Sequence, residues 1–433
     1  MAPPQRATWL SSNRRLARSI GRPIQRFLAI EAAGGLLLIA AAIVALVWAN
    51  SPWSASYVDL WHTDLTFELG GHVISEDLQH WVNDGLMTLF FFVIGLEIKH
   101  EVTHGQLASP RAAAVPIAGA LGGMLVPAAL YAAINLGGDG GSGWGIPMAT
   151  DVAFAVGVLA LLGDRVPSEL KVLLLGLAIV DDIGAILVIA LFYTASVELG
   201  WLAAGLAILV AMVLLNRSHV RYMPLYVLLG TVVWFTFYES GVHATLAGVA
   251  LGLLAPARPF LTDVDADRIA GELSADQAVT AAEVRDISFR IRESVPTTER
   301  LVDVLHPWTS YLIVPLFALA NAGIVLSGDG IRAALESSVT LGVVVGLVVG
   351  KLVGVAAAIA LVLRFGLGRL PDGVRSRHVV GMAAIAGIGF TVSIFVGGLA
   401  FDDPALADEA TLGVLIASLV AAFGGAAILR TAD

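Results

Sequence analysis

The chain has 433 residues and a net charge of −10, and 57% of its residues are hydrophobic while 14% are charged. Soluble domains are typically about 45–50% apolar and about 25% charged, so this composition argues against a soluble protein. The absence of cysteine excludes disulfides, thiol catalysis and cysteine-ligated metal sites. The apolar residues form blocks long enough to cross a bilayer as helices, whereas barrel strands would be about 10 alternating residues. The sequence therefore predicts an all-α polytopic membrane protein.

The N-terminal segment 1–28 carries six arginines before the first apolar block. A signal peptide would place small residues at a cleavage site after that block. Here the block at 29–49 is long enough to span and is followed by Asn50, Ser51 and Pro52. We therefore expect a cytoplasmic basic segment at 1–28 and a single membrane transporter domain at 29–430.

The apolar blocks predict about 12 transmembrane helices. With both termini inside, Arg332 is the basic residue that falls in an outer loop and Lys351 the one that falls in mid-span. This bias follows the positive-inside rule, and an error of one span would put basic loops on both sides. The predicted spans are 29–49, 81–100, 112–135, 146–162, 170–193, 200–215, 222–238, 241–255, 308–326, 338–363, 378–400 and 411–429.

Two connections are long. The external loop 54–80 contains residues 65–74, which alternate around Gly70 and Gly71 and predict a β-hairpin. An isolated hairpin is marginal in water, so we expect it to pack on another surface, with a second protomer as one candidate. The cytoplasmic loop 257–307 is charged.

Within that cytoplasmic loop, Ala275–Arg292 has helical potential, and Thr297 or Thr298 would cap the turn before His306. A mobile linker is the alternative interpretation of the loop.

Five ionisable residues fall inside predicted spans, with Asp84 as a sixth nearer the surface. A charge at mid-bilayer costs at least ~2.5–3.5 kcal/mol on insertion scales and usually marks an ion or substrate path. The five are Glu97, Asp151, Asp181, Asp182 and Lys351.

Asp181 and Asp182 are adjacent and flanked by two turns of apolar residues on each side. Neighbours on a helix point about 100° apart, so both can face one cavity without touching. Two carboxylates in a low-dielectric pocket can hold protons near neutral pH and release them when a cation arrives. Carboxylate, hydroxyl and carbonyl oxygens suit a hard monovalent cation. The apolar flanks disfavour the alternative of a helix-end acid pair facing water.

Asp151 follows Thr150 in the short span 146–162, whose start is crowded by Gly145 and Pro147. Thr150 can offer a hydroxyl to an ion, or either residue can cap a helix that begins next. The two interpretations are compatible, because a cap inside the membrane means a broken helix.

The span 378–400 contains Gly387, Gly389, Thr391 and Ser393 near its centre. This composition predicts unwound backbone lining a cavity, or alternatively close packing against small residues. The two interrupted spans are the fourth and the eleventh. Helices 3–5 and 10–12 are offset by an odd number, which predicts inverted repeats with broken, crossing helices 4 and 11.

Lys351 stands beside glycines repeated every fourth residue, which form a ridge for close helix contact. We expect the lysine to face protein and to neutralise Asp181, Asp182 or the C-terminal ends of the broken helices. The apolar residues on both sides disfavour snorkelling to an interface.

Glu97 and Glu101 lie one helical turn apart at an inner helix end, where they repel each other and Lys99 lies on another face. Such a pair could sense pH or attract cations, and a solvated helix end is the alternative. His243 lies near a turn and is a weak signal on its own.

Seven strings of this sequence resemble the NhaA-type sodium/proton antiporters of bacterial inner membranes, and the resemblance runs from about Phe27 to about Leu429. The strings are Trp81–Met87, Gly95–Glu97, Ala149–Asp151, Val180–Gly184, Gly241–Gly248, Leu305–Trp308 and Gly387–Thr391.

The resemblance implies crossed broken helices and electrogenic exchange of cytoplasmic sodium or lithium for more than one external proton. It implies that Asp182 is the principal cation ligand, Asp181 its partner, and Lys351 the ion-pair partner of Asp181. Asp151 and Thr150 would serve the crossing and the cation site.

The resemblance implies that Glu97 and Glu101 respond to pH, with His243 as a further pH-response candidate, and that the hairpin 65–74 is a homodimer contact. The expected partners are Na⁺, Li⁺, H⁺ and the bilayer, with no cofactor and no nucleic acid. The loop 257–307 is longer than is usual in the family, and Leu352 replaces a usual proline.

Two rival functions remain open on the sequence. The chain could be another ion-coupled symporter, or an intramembrane aspartyl protease that pairs Asp151 with Asp182. A buried Lys351 argues against the protease, because a nearby cation would hold both acids ionised. We therefore predict a transporter and not an enzyme.

Overall fold

A computed structural model describes residues 33–69, 72–194, 196–220, 222–261 and 280–431, which are mainly helical. The predicted basic segment 1–28 and the first residues of the first predicted span lie outside this part of the chain.

The helices are named here in chain order. They are α1 (Ala33–Ala49), α2 (Ser54–Trp61), α3 (Leu78–His104), α4 (Pro110–Ile134), α5 (Val152–Leu162), α6 (Ser168–Phe192), α7 (Leu199–Arg217), α8 (Met223–Glu239), α9 (Thr245–Leu254), α10 (Ala281–Glu293), α11 (Thr297–Asn321), α12 (Gly328–Glu336), α13 (Ser338–Arg364), α14 (Ser376–Ile385), α15 (Phe390–Ala400) and α16 (Pro404–Arg430). A 3₁₀ helix, Asp139–Met148, precedes α5, and two strands, β1 (Asp64–Leu69) and β2 (His72–Asp77), lie between α2 and α3.

In the described part of the chain, seven helices are long and apolar enough to cross a membrane, or up to ten if each bent pair counts as one span. The helices α8 and α9 are shorter and apolar. Large side chains such as Leu125, Leu191 and Phe423 are at least 65% exposed on the outer surface. So much exposed apolar surface is unusual on a soluble monomer and suits contact with lipid. The fold is that of a polytopic membrane protein.

Several predicted boundaries were wrong where polar helices adjoin the spans. The predicted loop 54–80 contains α2, which is bent by 115° from α1. The predicted span 146–162 starts earlier, in the 3₁₀ helix at Asp139. Apolar runs find the membrane-embedded part of a helix and miss polar extensions, because these are not apolar.

The cytoplasmic loop 257–307 also ends earlier than predicted, because α11 begins at Thr297. No threonine caps it: Pro296 occupies the N-cap position without a side-chain hydrogen bond. The Thr298 amide donates instead to the Pro256 carbonyl at 3.2 Å. The predicted helix in this loop is present as α10 over the described residues.

The strands β1 and β2 form the predicted antiparallel hairpin, with Phe67 opposite Ile74. The hairpin packs on its own chain. Trp81 Nε1 donates to the Leu65 carbonyl at 3.0 Å, and the Phe67 ring meets the Trp81 ring edge-on at 5.1 Å. Tyr238 OH donates to Glu76 Oε1 at 2.5 Å, so α3 and α8 both support the hairpin.

Glycines bring helix backbones together at two contacts. A Cβ on Gly95 of α3 would lie 2.7 Å from the Val249 carbonyl of α9. Gly122 of α4 and Gly354 of α13 approach even closer, so a side chain at either would strike the other backbone. The predicted glycine ridge of α13 therefore packs on α4, as small-residue ridges do in membranes.

Two helix pairs are broken near their centres. The 3₁₀ helix and α5 meet at 46° across residues 149–151, and α14 and α15 meet at 44° across residues 386–389. At the second break a Cβ on Gly387 would strike the Leu347 carbonyl of α13, so only glycine fits there.

The two breaks lie against each other. The Asp151 amide donates to the Ile388 carbonyl at 2.6 Å, and Ser393 Oγ donates to the Ile146 carbonyl at 2.7 Å. These bonds satisfy backbone groups that the interrupted helices leave free, as a low-dielectric interior requires. The buried acids lie directly beside these paired breaks.

Candidate functional site

Asp151 binds the start of two helices at once. Its Oδ1 accepts from the Phe154 amide in α5 at 3.0 Å, and its Oδ2 accepts from the Thr391 amide in α15 at 3.0 Å. The Thr391 hydroxyl also donates to Oδ2. A helix N-terminus carries partial positive charge, so one carboxylate stabilises both ends here. Asp151 is 4% exposed and its oxygens are occupied by these contacts.

Thr150 links the first break to α6 and to α14. Its Oγ1 lies 2.7 Å from Asp181 Oδ2 and 2.9 Å from the Ala386 carbonyl oxygen. Thr150 is 1% exposed, so both contacts are made away from water. The hydroxyl therefore touches the acid pair and the second break together.

Asp181 forms a buried ion pair with Lys351. Lys351 Nζ lies 2.5 Å from Asp181 Oδ2, and both side chains are fully buried. Asp181 Oδ1 has no hydrogen-bond partner within the described residues. Removing one member of a buried pair usually costs ~3–5 kcal/mol, because the other charge is left uncompensated.

The Lys351 side chain passes over Gly123 of α4 to reach Asp181. A Cβ on Gly123 would lie 3.4 Å from Lys351 Cδ and 3.6 Å from Nζ. A π-helical turn, Val345–Gly350, ends immediately before the lysine. Such turns often occur at functional sites, where the additional residue redirects the following side chain.

Asp182 is 5% exposed and accepts no hydrogen bond from any residue that the structure describes. It lies within electrostatic range of Asp181, Glu97, Asp151 and Lys351. A buried carboxylate normally has a partner, and one without a partner requires an explanation. The oxygens of Asp182 are thus the ones available to a proton or a cation.

The three predicted pH-response residues do not converge. Glu97 lies in electrostatic range of Asp182 and makes no hydrogen bond in the described part of the chain. Glu101 Oε1 instead accepts from the Gln106 amide at 2.5 Å, just beyond α3. His243 Nε2 lies 2.8 Å from the Tyr193 carbonyl oxygen, and the ring lies within electrostatic range of Asp84.

Thr391 was predicted as part of the unwound stretch at the second break, but not as a partner of Asp151. Its position after Gly387 and Gly389 signals a break, but the sequence does not reveal that Asp151 is its partner. Within the described residues, no group of three or more histidine, aspartate or glutamate side chains converges as a metal site. The site contains the carboxylates of Asp151, Asp181 and Asp182, the Lys351 ammonium, and hydroxyl and carbonyl oxygens.

Paired broken helices around buried acids and a lysine are typical of an ion-coupled secondary transporter. A family model described as Na⁺/H⁺ antiporter 1 matches residues 25–429 of this chain. The chain therefore belongs to the Na⁺/H⁺ antiporter family of the NhaA type.

Full-length relatives agree with this assignment. A protein of Oleidesulfovibrio alaskensis named Na(+)/H(+) antiporter NhaA is 47% identical, covering 94% of this chain and 93% of its own length. The relative from Sorangium cellulosum, named NhaA 2, is 47% identical over 99% of this chain and 93% of its own length. A relative from Rhodopirellula baltica is 48% identical, covering 94% of this chain and 93% of its own length.

Proposed function

We propose that this chain exchanges Na⁺ for H⁺ across the membrane and that Asp182 is the residue for which the two ions compete. The observation that carries the proposal is the 5% exposed Asp182 carboxylate, which has no hydrogen-bond partner within the described residues. A buried carboxylate avoids the cost of an uncompensated charge by binding either a proton or a cation. The relatives' names, which state Na(+)/H(+) antiport, support the choice of ions.

Asp181 plays a different part from Asp182 in this proposal. Its Oδ2 is held by Lys351 Nζ and by the Thr150 hydroxyl, so its charge is compensated without a cation. Oδ1 remains unpartnered in the described structure and can complete the oxygen shell around a cation on Asp182. The Asp181–Lys351 pair is then the candidate source of a second proton, which would make exchange electrogenic.

Asp151 and Thr150 complete the site by holding the broken helices together. Asp151 neutralises two helix N-termini, and Thr150 joins the breaks to Asp181. The chain has twelve spans in this proposal, with helices 3–5 and 10–12 as inverted repeats. Rocking of one repeat against the other would expose Asp182 to each side in turn.

The exchange runs from cytoplasmic Na⁺ or Li⁺ to external H⁺ in a bacterial inner membrane, with both termini cytoplasmic. The basic loops on one side of the predicted spans support that orientation. Glu97 is the pH-response candidate best positioned to act on Asp182, since both lie in electrostatic range. Glu101, at the C-terminal end of α3, and His243, beside the Tyr193 carbonyl, are the other two pH-response candidates.

Homodimerisation through the hairpin is part of the proposal. One face of the hairpin is used by Trp81 and Tyr238 of the same chain. The other face carries Val73, which is 57% exposed, and is free to meet a second protomer. Because residues alternate along a strand, Val73 points away from the side of Ile74 and Phe67.

The protease hypothesis is weaker with this geometry. A dyad of Asp151 and Asp182 needs both acids free to bind a water, yet both oxygens of Asp151 accept hydrogen bonds from Phe154 and Thr391. The family's named function is also transport and not catalysis. A symporter would differ by moving a solute with the ion, which a solute-uptake assay detects.

The test is sodium-dependent proton movement in proteoliposomes. Asp182→Asn keeps the size of the side chain and removes its charge, so exchange should be lost. Asp59→Asn, an exposed acid on α2, is the matched control and should leave exchange unchanged. Normal exchange by Asp182→Asn would overturn the assignment of this residue.

A further inference from the structure

The helix α10 is 13 residues long and lies in the long connection between α9 and α11. Its apolar residues form one stripe: Val284, Ile287 and Ile291 fall within about 60° of arc at 100° per residue. Val284 and Ile291 are each 50% exposed and Ile287 is half-buried, so most of the stripe is not covered by the described part of the chain. Phe289, 42% exposed, lies outside this arc.

Charge is arranged around the stripe. Arg285 and Arg292 lie about 100° and 80° from Val284 on one side, and Arg290 lies on the other side, beyond Ile287. The position of Glu283 is also next to Ile287, while Asp286 and Glu293 fall on the opposite half of the helix. Two of these acids have cationic partners: Asp286 pairs with Arg290 at 2.8 Å, and the buried Glu293 contacts Arg300 at 3.2 Å. Arg292 also contacts Glu293 at 3.3 Å. The apolar stripe thus has two arginines on one side and residues of both charges on the other.

The C-terminal end of α10 is fixed at the level where membrane helices end. The Phe260 and Leu261 amides, six and seven residues after α9, both donate to the Glu293 carbonyl at 3.0 Å. The Phe260 ring lies 5.5 Å from His219, two residues beyond the end of α7. The C-terminal end of α10 is therefore held near the membrane boundary.

We propose that α10 is an interfacial helix, which lies in the membrane surface with Val284, Ile287 and Ile291 among the lipid chains and with Arg285 and Arg292 near anionic phospholipid headgroups. An amphipathic helix with basic residues beside its apolar stripe binds such a surface through apolar burial and electrostatic attraction together. The bilayer is the occupant chosen because it is always adjacent to the ends of α7 and α9. This inference goes beyond the proposed ion exchange and does not depend on it.

The chain has no cysteine, so single-cysteine variants can be spin-labelled without background. Val284→Cys and Ile291→Cys probe the stripe, and Ala282→Cys, about 160° from Val284, probes the opposite side. Each full-length variant is reconstituted in phosphatidylcholine vesicles with and without phosphatidylglycerol. Accessibility is then measured to oxygen, which concentrates in lipid, and to a water-soluble nickel chelate.

With phosphatidylglycerol present, labels at 284 and 291 should favour oxygen and the label at 282 should favour nickel. Equal nickel access at all three positions would overturn the proposal, because α10 would lie free in water. Protection of 284 and 291 from both reagents would also overturn it, since the stripe would be covered by protein. That last result would assign the surface to a second copy or another partner.

The electrostatic part is tested by Arg285→Gln in the Ile291→Cys background. Each basic residue near an anionic surface contributes about a fivefold change in the binding equilibrium. The ratio of inserted to free helix should fall about fivefold with phosphatidylglycerol and stay unchanged with phosphatidylcholine alone. An equal fall in both lipids would contradict headgroup binding. Ion exchange is measured in parallel, so failure of this proposal is distinguishable from loss of transport.

Discussion

Lys351 Nζ contacts one oxygen of Asp181 at 2.5 Å and leaves the other without a hydrogen-bond partner in the described structure. Next to it along α6, Asp182 accepts no hydrogen bond from the described residues. Two adjacent acids therefore have different surroundings: one is compensated by protein and the other is not. Their different surroundings lead to separate predictions.

Sodium and protons should compete at Asp182. If one proton must leave before one cation binds, each unit of decrease in pH should raise the apparent KM for Na⁺ about tenfold in the acidic range. If two protons leave, the increase per pH unit should be about a hundredfold. The measurement is the sodium dependence of exchange in proteoliposomes over a series of pH values. A KM that does not change with pH would exclude competition.

Lys351→Ala should destabilise the protein by ~3–5 kcal/mol, because it leaves the Asp181 charge buried and unpaired. Asp181→Asn in the same chain should restore part of that stability, because it removes the uncompensated charge. Thermal unfolding in detergent measures both variants. Arg364→Ala, at the exposed end of the same helix, is the control and should change little. Additive effects of the two buried substitutions would mean that the pair is not coupled.

Gly123→Ala should disturb the ion pair without touching a charge. The added methyl would lie 2.8 Å from Val355 Cγ2 and 3.4 Å from Lys351 Cδ, so the Val355 side chain or α13 itself must shift next to Lys351. We expect lower exchange and lower thermal stability. Gly424→Ala is the matched control, because a Cβ there meets no atom within 4 Å. If both alanine variants behave like the parent, then the close packing at Gly123 does not position Lys351.

Thr391→Val should weaken the contact between the two helix breaks, which the hydrogen bonds of Thr391 to Asp151 help to form. The substitution keeps the amide bond to Asp151 and removes the hydroxyl donor, leaving a buried carboxylate less satisfied at a cost of ~1–3 kcal/mol. Thr391→Ser keeps the hydroxyl and should retain most of the stability and exchange. The comparison of the two variants separates the hydrogen bond from the side-chain volume. Equal loss in both would assign the effect to packing.

The hairpin should contribute to dimerisation through its far face. Val73→Asp places a charge on the face opposite to Trp81 and should shift the protein toward monomers in detergent, as measured by light scattering. Tyr238→Phe breaks the bond to Glu76 on the near face and leaves Val73 in place. A dimer that survives Val73→Asp unchanged would show that this face is not the contact.

The sequence predicted the buried charged residues well, because a charged residue inside a long apolar run is easy to recognise. Asp181, Asp182 and Lys351 stand out from apolar flanks, and the structure buries all three. The first helix break falls at Thr150 and Asp151, where a cap was predicted, and the second falls at Gly387 and Gly389. The roles of these residues in transport stay predictions, as do the twelve-span count and the inverted repeat.

Partners across distant helices could not be predicted in the same way. Thr391 and Asp151 are 240 positions apart, and no local pattern reports their contact. The helix α2 was missed because it lies in a predicted polar loop, and the start of α11 because its first turns are polar. Hydrophobic periodicity and composition predict the environment of a single segment. The site depends on contacts between several segments, which they do not predict.

Thr150 has one hydroxyl proton and two acceptors, Asp181 Oδ2 at 2.7 Å and the Ala386 carbonyl at 2.9 Å. A hydroxyl can donate to only one of them at a time. While Asp181 is ionised it competes for that proton; once protonated, Asp181 can donate to Thr150 instead, and the threonine proton turns to Ala386 at the end of α14. We therefore expect the protonation state of Asp181 to decide which acceptor the Thr150 hydroxyl binds, and so to change the hydrogen bond between the two broken helices.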